Sequence, residues 1–222
     1  MGLLRVPTRV LVHEGARSPN APVVVLLHGF MGTPEDLAPF ARSLAVDARF
    51  IFPEAPLDLA PLGLRGRGWW PKIPPNAGPG RLRDLSHVVP DGFGVARTHL
   101  DELIGDLESM IGERPFVLGG FSQGAMLACD FALRTSRAIA GLVFFSGAPI
   151  AQQEWRSLYA ARSGLRALIS HGRLDADLSF DVSARFQGEL RAAGWDVTWL
   201  PFDGGHEVPL VIWRALKKWL RR

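Results

Sequence analysis

Apolar residues along this chain gather in short unbroken runs, separated by stretches with a period of three to four. Val23-Val24-Val25-Leu26-Leu27 is a continuous β-branched and aliphatic run, the pattern of a strand buried on both faces. Residues 50–52, 116–118, 142–145, 165–170 and 197–200 repeat it, and 10–12 predict an edge strand. Between these runs, Ala96, Leu100, Leu103, Leu107 and Met110 recur at steps of three and four. Ile212, Ala215, Leu216, Trp219 and Leu220 do the same near the end, as expected of helices with one apolar stripe. Strands alternating with helices predict an α/β fold with a mostly parallel central sheet and helices on both faces. The chain of 222 residues suits one such domain, read as 1–222.

The pattern fails between residues 56 and 90. This segment is rich in Pro and Gly and has no sustained period, yet it carries Leu57, Leu59, Leu62, Leu64, Trp69, Trp70 and Ile73. Apolar side chains at that density need a surface to bury against. A loop of this length inside a compact domain is usually functional.

Chemistry concentrates at Gly120-Phe121-Ser122-Gln123-Gly124, which joins the run at 116–118 to a helix-like run at 125–129. Gly-x-Ser-x-Gly between strand and helix reads as a nucleophile elbow. Small flanking residues allow a tight turn that holds the hydroxyl above the sheet, at a helix N-terminus where negative charge is favoured. Serine needs a base to take its proton, and on this elbow the partners follow in the order acid, then histidine. Of six histidines, only His206, in Asp203-Gly204-Gly205-His206-Glu207, leaves room for an acid after Ser122. Asp175 and Asp177, both after the run at 165–170, lie where the acid belongs; Asp175 is preferred and Asp177 second. Asp181, Asp196 and Asp203 are formal candidates, but Asp196 begins a strand and Asp203 is too near His206.

The loop His28-Gly29-Phe30-Met31-Gly32 ends the first strong strand. Such a loop supplies one oxyanion-hole N–H and the residue after the nucleophile the other, which points to Phe30 and Gln123. His28 is expected to fix this loop through its ring. Ligands of an open α/β sheet bind at the carboxyl ends of the strands. The 56–90 segment is therefore expected as a cap-like loop over the active site, with Met31 and Trp69 or Trp70 facing substrate.

Composition narrows the field. The calculated pI is about 9.6, but the net charge is only +3 and the basic residues are scattered, so no nucleic-acid footprint is predicted. No run reaches the ~20 apolar residues of a membrane span, so no stable membrane insertion is expected. A single cysteine, Cys129, excludes an internal disulfide. The first residues lack the apolar core of a signal peptide. A cytoplasmic location follows as the expectation. No set of Cys, His and carboxylates has metal spacing, and no loop has the dinucleotide or Walker pattern; no cofactor and no metal are expected.

Leu-Leu-His-Gly-Phe at 26–30, Gly-Phe-Ser-Gln-Gly at 120–124, Ser-Gly-Ala-Pro at 146–149, His-Gly-x-x-Asp at 171–175 and Gly-Gly-His at 204–206 together resemble the phospholipase/carboxylesterase family of α/β-hydrolases. That family includes the acyl-protein thioesterases and small bacterial esterases. The resemblance implies Ser122 as nucleophile, Asp175 as acid, His206 as base, and Phe30 and Gln123 as oxyanion donors. It also implies a homodimer. Two departures bear on substrate preference. Relatives carry Arg-x-Trp-Phe-Asp where this chain has Arg67-Gly68-Trp69-Trp70-Pro71, and Pro-x-Val where it has Ala176-Asp177-Leu178. The expected function is a carboxylesterase-type serine hydrolase, cleaving small-molecule esters or thioesters of small or medium apolar acyl groups through an acyl-enzyme on Ser122. The alternatives are a dienelactone-hydrolase-like enzyme (normally Cys at the elbow), a perhydrolase on the same triad, and a catalytically silent binding module.

Overall fold

A computed structural model describes residues 8–71, 84–112 and 114–222. In chain order the strands are β1 (Val10–Glu14), β2 (Val23–Leu27), β3 (Arg49–Pro53), β4 (Leu57–Asp58), β5 (Arg67–Gly68), β6 (Phe116–Phe121), β7 (Ile139–Phe145), β8 (Arg166–Gly172) and β9 (Asp196–Phe202). The helices are α1 (Ala38–Leu44), α2 (Phe93–Asp106), α3 (Glu108–Ile111), α4 (Gln123–Arg134), α5 (Gln152–Tyr159), α6 (Phe180–Ala192) and α7 (Leu210–Trp219). Seven strands form the main sheet in the order β1-β3-β2-β6-β7-β8-β9. Only β1, at the edge, runs antiparallel, against β3.

Alternation along each strand divides the core into two layers. Val23, Val25 and Leu27 of β2 join one cluster with Leu100, Leu127, Trp155 and Phe186 from α2, α4, α5 and α6. Val24 and Leu26 join the other, with Ala41 of α1 and Trp213 and Leu216 of α7. A strand that feeds two layers must be apolar at every position, which is why β2 reads as an unbroken run.

Two expectations change in detail. The stripe at 96–110 does not make one helix: it breaks at Leu107 (φ −83°, ψ 0°), between α2 and α3, and Met110 faces solvent. The 56–90 segment is not wholly irregular, because β4 and β5 pair as a small antiparallel hairpin. The hairpin docks on the loop after β2. Met31 N–H donates to Arg67 O at 2.9 Å and Arg67 N–H to Gly32 O at 3.1 Å. Gly66 (φ 72°) sits in that contact, where a Cβ would lie 2.1 Å from Met31 O. The Arg67 guanidinium pins the start of the segment by donating to Ala55 O (2.5 Å) and Pro56 O (2.7 Å). Residues 72–83, with Ile73, lie outside the described residues.

Candidate active site

The parallel strands β2, β6, β7 and β8 all end on the same side, and the loops leaving them converge. At the end of β6, Ser122 adopts φ 54° and ψ −117°, a left-handed conformation that costs a non-glycine residue about 1–3 kcal/mol. Its backbone is held there by Ser122 N–H donating to Phe145 O at 2.9 Å. Both elbow glycines are sterically required. A Cβ at Gly120 would lie 2.4 Å from Leu27 O, and one at Gly124 2.3 Å from the same oxygen. α4 starts immediately after the serine, so the Gln123 N–H is among the first-turn donors that have no acceptor within the helix.

His206 reaches the elbow from the loop after β9. Its Nε2 lies 2.9 Å from Ser122 Oγ and its Nδ1 2.7 Å from Asp175 Oδ2. With a carboxylate on one side, Nδ1 carries the hydrogen, and Nε2 accepts from the serine hydroxyl. Close backbone approach positions this loop. A Cβ at Gly172 would lie 2.2 Å from Gly205 O, and Leu174 N–H donates to Gly204 O at 2.9 Å. Ser146, at φ 45° beyond β7, donates from its hydroxyl to Glu207 O at 2.9 Å. That bond is the local role of the serine in Ser-Gly-Ala-Pro, which sequence reasoning left unassigned.

Asp175 is buried in the loop after β8. Its Oδ1 accepts from the N–H groups of Asp177 (2.8 Å) and Leu178 (2.9 Å). Burial alone would push its carboxyl up. Hydrogen bonds from His171, His206 and Leu178 outweigh that and hold it well below the usual carboxylate range. Asp177, the second candidate for the acid, lines the cleft at Ser122, while its own N–H turns back onto Asp175.

The loop after β2 lies against Ser122: a Cβ at Gly29 would be 3.3 Å from Ser122 Cβ. The buried His28 ring staples it, donating from Nδ1 to Gly29 O (2.8 Å) and accepting the Ala55 N–H at Nε2 (3.0 Å). Burial pushes this imidazole below its ordinary value, which keeps it in the neutral form that both bonds need.

A cleft of about 140 Å³ opens beside Ser122 and His206, walled by Phe30, Met31, Trp70, Leu85, Met126 and Leu178. Trp70 and Leu85 come from the two described ends of the 56–90 segment. A larger hollow of about 280 Å³ beside Arg97, Asp130 and Arg134 contains none of Ser122, His206 and Asp175. Its Asp130 is already paired, with Arg97 at 2.7 Å and Arg134 at 3.0 Å.

Of the two tryptophans expected at substrate, only Trp70 is brought to the cleft. The Trp69 indole N–H donates to His28 O at 2.8 Å, and its ring packs 5.6 Å from that of His28. A buried indole N–H usually finds an acceptor, and the one Trp69 uses, His28 O, lies beneath the loop rather than in the cleft. Trp69→Ala is therefore expected to cost about 3–5 kcal/mol of stability and to leave acyl preference intact. Trp70→Ala is expected to change the preferred acyl length as well. Denaturant melts beside an ester series separate the two, and a shift of acyl preference in Trp69→Ala alone would refute the assignment.

Gln123 has a second task that its position in the motif does not announce. Its side-chain Oε1 accepts the Trp69 N–H at 2.8 Å, and its Nε2 donates to Trp70 O at 2.8 Å. The buried amide thus straps the tryptophan segment to the elbow.

Among solved structures, esterase PE8 matches with a TM-score of 0.80 at 28% identity, covering 97% of this chain and 99% of its own. Acyl-protein thioesterase 2 of Zea mays matches at 0.73 and 20% (96% and 97% covered). The carboxylesterase of Mesorhizobium loti matches at 0.72 and 17% (96% and 93% covered). The last two show the shared α/β-hydrolase fold. Among curated proteins, the chloroplastic protein PHYLLO of Arabidopsis thaliana is 28% identical over 144 residues. That match covers 63% of this chain and 7% of the relative, so the chain spans a small part of its length. The model of the phospholipase/carboxylesterase family matches residues 10–222, and the chain belongs to that family.

Proposed function

We propose that this chain is a serine hydrolase that cleaves carboxylic esters, or thioesters, of small to medium apolar acyl groups through an acyl-enzyme on Ser122. The observation that carries the reading is the continuous relay from Ser122 Oγ through His206 to Asp175, at 2.9 and 2.7 Å, opening on an apolar cleft. The esterase names of the family and of PE8 support the same chemistry. His206 Nε2 takes the hydroxyl proton as Oγ attacks the acyl carbon. The buried Asp175 carboxylate stabilises the imidazolium that forms. The negative charge on the carbonyl oxygen is met by the N–H groups of Phe30 and Gln123. Met31 N–H is committed to Arg67 O and Gly32 N–H to Gly29 O, so neither competes with Phe30 for this role. His206 then protonates the leaving alcohol or thiol, and water releases the acid by the reverse sequence. A serine at the elbow, where dienelactone hydrolases carry cysteine, favours the esterase reading.

On this reading the cytoplasm is the working compartment, in keeping with a single, buried cysteine, and a homodimer is implied by family resemblance. No helix among the described residues is long and apolar enough to cross a membrane.

The cleft is close in size to a cavity of about 150 Å³ that admits benzene. Esters of about two to six acyl carbons should therefore turn over fastest in a p-nitrophenyl series, with palmitoyl esters and thioesters slowest. A fluorophosphonate should add its mass once, on the peptide containing Ser122. Labelling elsewhere, or no labelling of folded protein, would sink the proposal.

A further inference from the structure

A second histidine touches the acid. His171, fully buried at the end of β8, directs Nε2 at two acceptors: Asp175 Oδ2 at 3.2 Å and Leu178 O at 3.2 Å. A nitrogen between a carboxylate and a carbonyl must carry hydrogen, so the ring is the Nε2–H tautomer. Its Nδ1 is buried and finds no hydrogen-bond partner among the described residues. The ring lies edge-on to Phe180, with centroids 6.2 Å apart. The Asp175 carboxylate therefore has every lobe engaged: two backbone N–H groups on Oδ1, and His171 and His206 together on Oδ2.

Resting on the proposed roles of Asp175 and His206, we propose that His171 is a positioning residue: its Nε2–H fixes the direction of Asp175 Oδ2 and shares the charge that this oxygen presents to His206. Two consequences follow. The two-sided grip leaves Asp175 one rotamer, the one that keeps His206 in line with Ser122 Oγ. Each donor on Oδ2 also takes up part of the negative charge that this oxygen presents to the His206 ring. Near the pair, the Glu207 carboxylate accepts the Gly205 N–H at 3.4 Å, and Asp177 lines the cleft together with His206. Arg173 lies over the outer side of the Phe180 ring at 5.2 Å and pairs with exposed Asp203 at 3.4 Å.

The test compares His171→Leu and His171→Gln with Ser122→Ala and Asp175→Asn in the full chain. Glutamine places its amide nitrogen the same number of bonds from Cβ as imidazole Nε2, so it keeps the donor. In His171→Leu, kcat on a p-nitrophenyl ester should fall roughly tenfold to a hundredfold with KM little changed. The acid limb of kcat/KM should move to higher pH by about half a unit to one unit. His171→Gln should restore most of both. Wild-type kcat and an unmoved acid limb in folded His171→Leu, with Ser122→Ala and Asp175→Asn inactive, would overturn this proposal alone. An active Ser122→Ala would overturn it together with the triad beneath it. Should the leucine variant not fold, ¹⁵N-histidine spectra of the wild-type protein decide: Nε2–H at His171 supports the assignment, and Nδ1–H at His171 overturns it.

Discussion

Ser122→Ala should fold with a melting curve close to that of the parent and lose on the order of 10⁵- to 10⁶-fold in kcat. The separation of the two effects has a structural basis. Ser122 holds its left-handed backbone through Ser122 N–H on Phe145 O and through the crowding of Gly120 and Gly124 against Leu27 O. None of these contacts involves the hydroxyl. Alanine therefore inherits the same strained turn and the same neighbours, and only the covalent route disappears. Residual turnover above water would measure what the cleft and the two backbone donors achieve alone. Near-parental kcat on a clean preparation would remove Ser122 from the mechanism, and mass spectrometry of a stalled acyl adduct gives the independent check.

Asp175→Asn should lower kcat by about 10³- to 10⁴-fold, whereas Asp177→Asn should change it by less than about tenfold. Asp175 Oδ2 receives His206 Nδ1 at 2.7 Å. An amide there can turn its NH₂ toward the ring and favour the tautomer with hydrogen on Nε2, which cannot accept the serine proton. The same carboxylate links activity to acid stability. Its folded-state value is depressed below the ordinary 3.8. Its contribution to stability is therefore complete above that pH and is lost as pH falls toward the folded-state value. The wild-type protein should lose stability below about pH 4 more steeply than Asp175→Asn does. Activity itself should fall toward acidic pH, because a histidine base works only in its neutral form. A rate profile flat from about pH 8 to 5 would contradict a histidine base, and a reversed ranking of the two asparagine variants would move the acid to Asp177.

The strands of the main sheet are legible as apolar runs because their central positions feed two core layers: Phe50 to Phe52 in β3 and Ala167 to Ile169 in β8 alternate between the layers residue by residue. Ser122, Asp175 and His206 are legible for another reason: elbow chemistry dictates their order, and small residues mark the turns that deliver them. The reading stops where the signal is tertiary. Val182, Phe186 and Leu190 do carry α6 at steps of four, a period present in the chain but short enough to pass for loop. The hairpin of β4 and β5 has only two residues per strand, below any detectable alternation. Nothing local tells Trp69 from Trp70. Their difference rests on where the His28 carbonyl lies, 41 residues away in the chain. His171 reads as part of a motif, but its contact with Asp175 Oδ2 depends on the fold of the loop after β8.

The Gln123 strap makes Ser122 and the wall of its cleft a single mechanical part. Its two hydrogen bonds reach across 53 and 54 residues, so the stretch bearing Trp70 is not an exchangeable lid. A chimera that grafts a relative's 56–90 loop onto this chain would carry substrate selectivity with it only if the incoming backbone still offered an N–H and a carbonyl to the same amide. Otherwise the graft would leave a buried amide unpartnered beneath Ser122. Retuning the cleft is therefore more promising at Met126 and Leu178, which line it from α4 and the loop after β8 and bear no part of that strap.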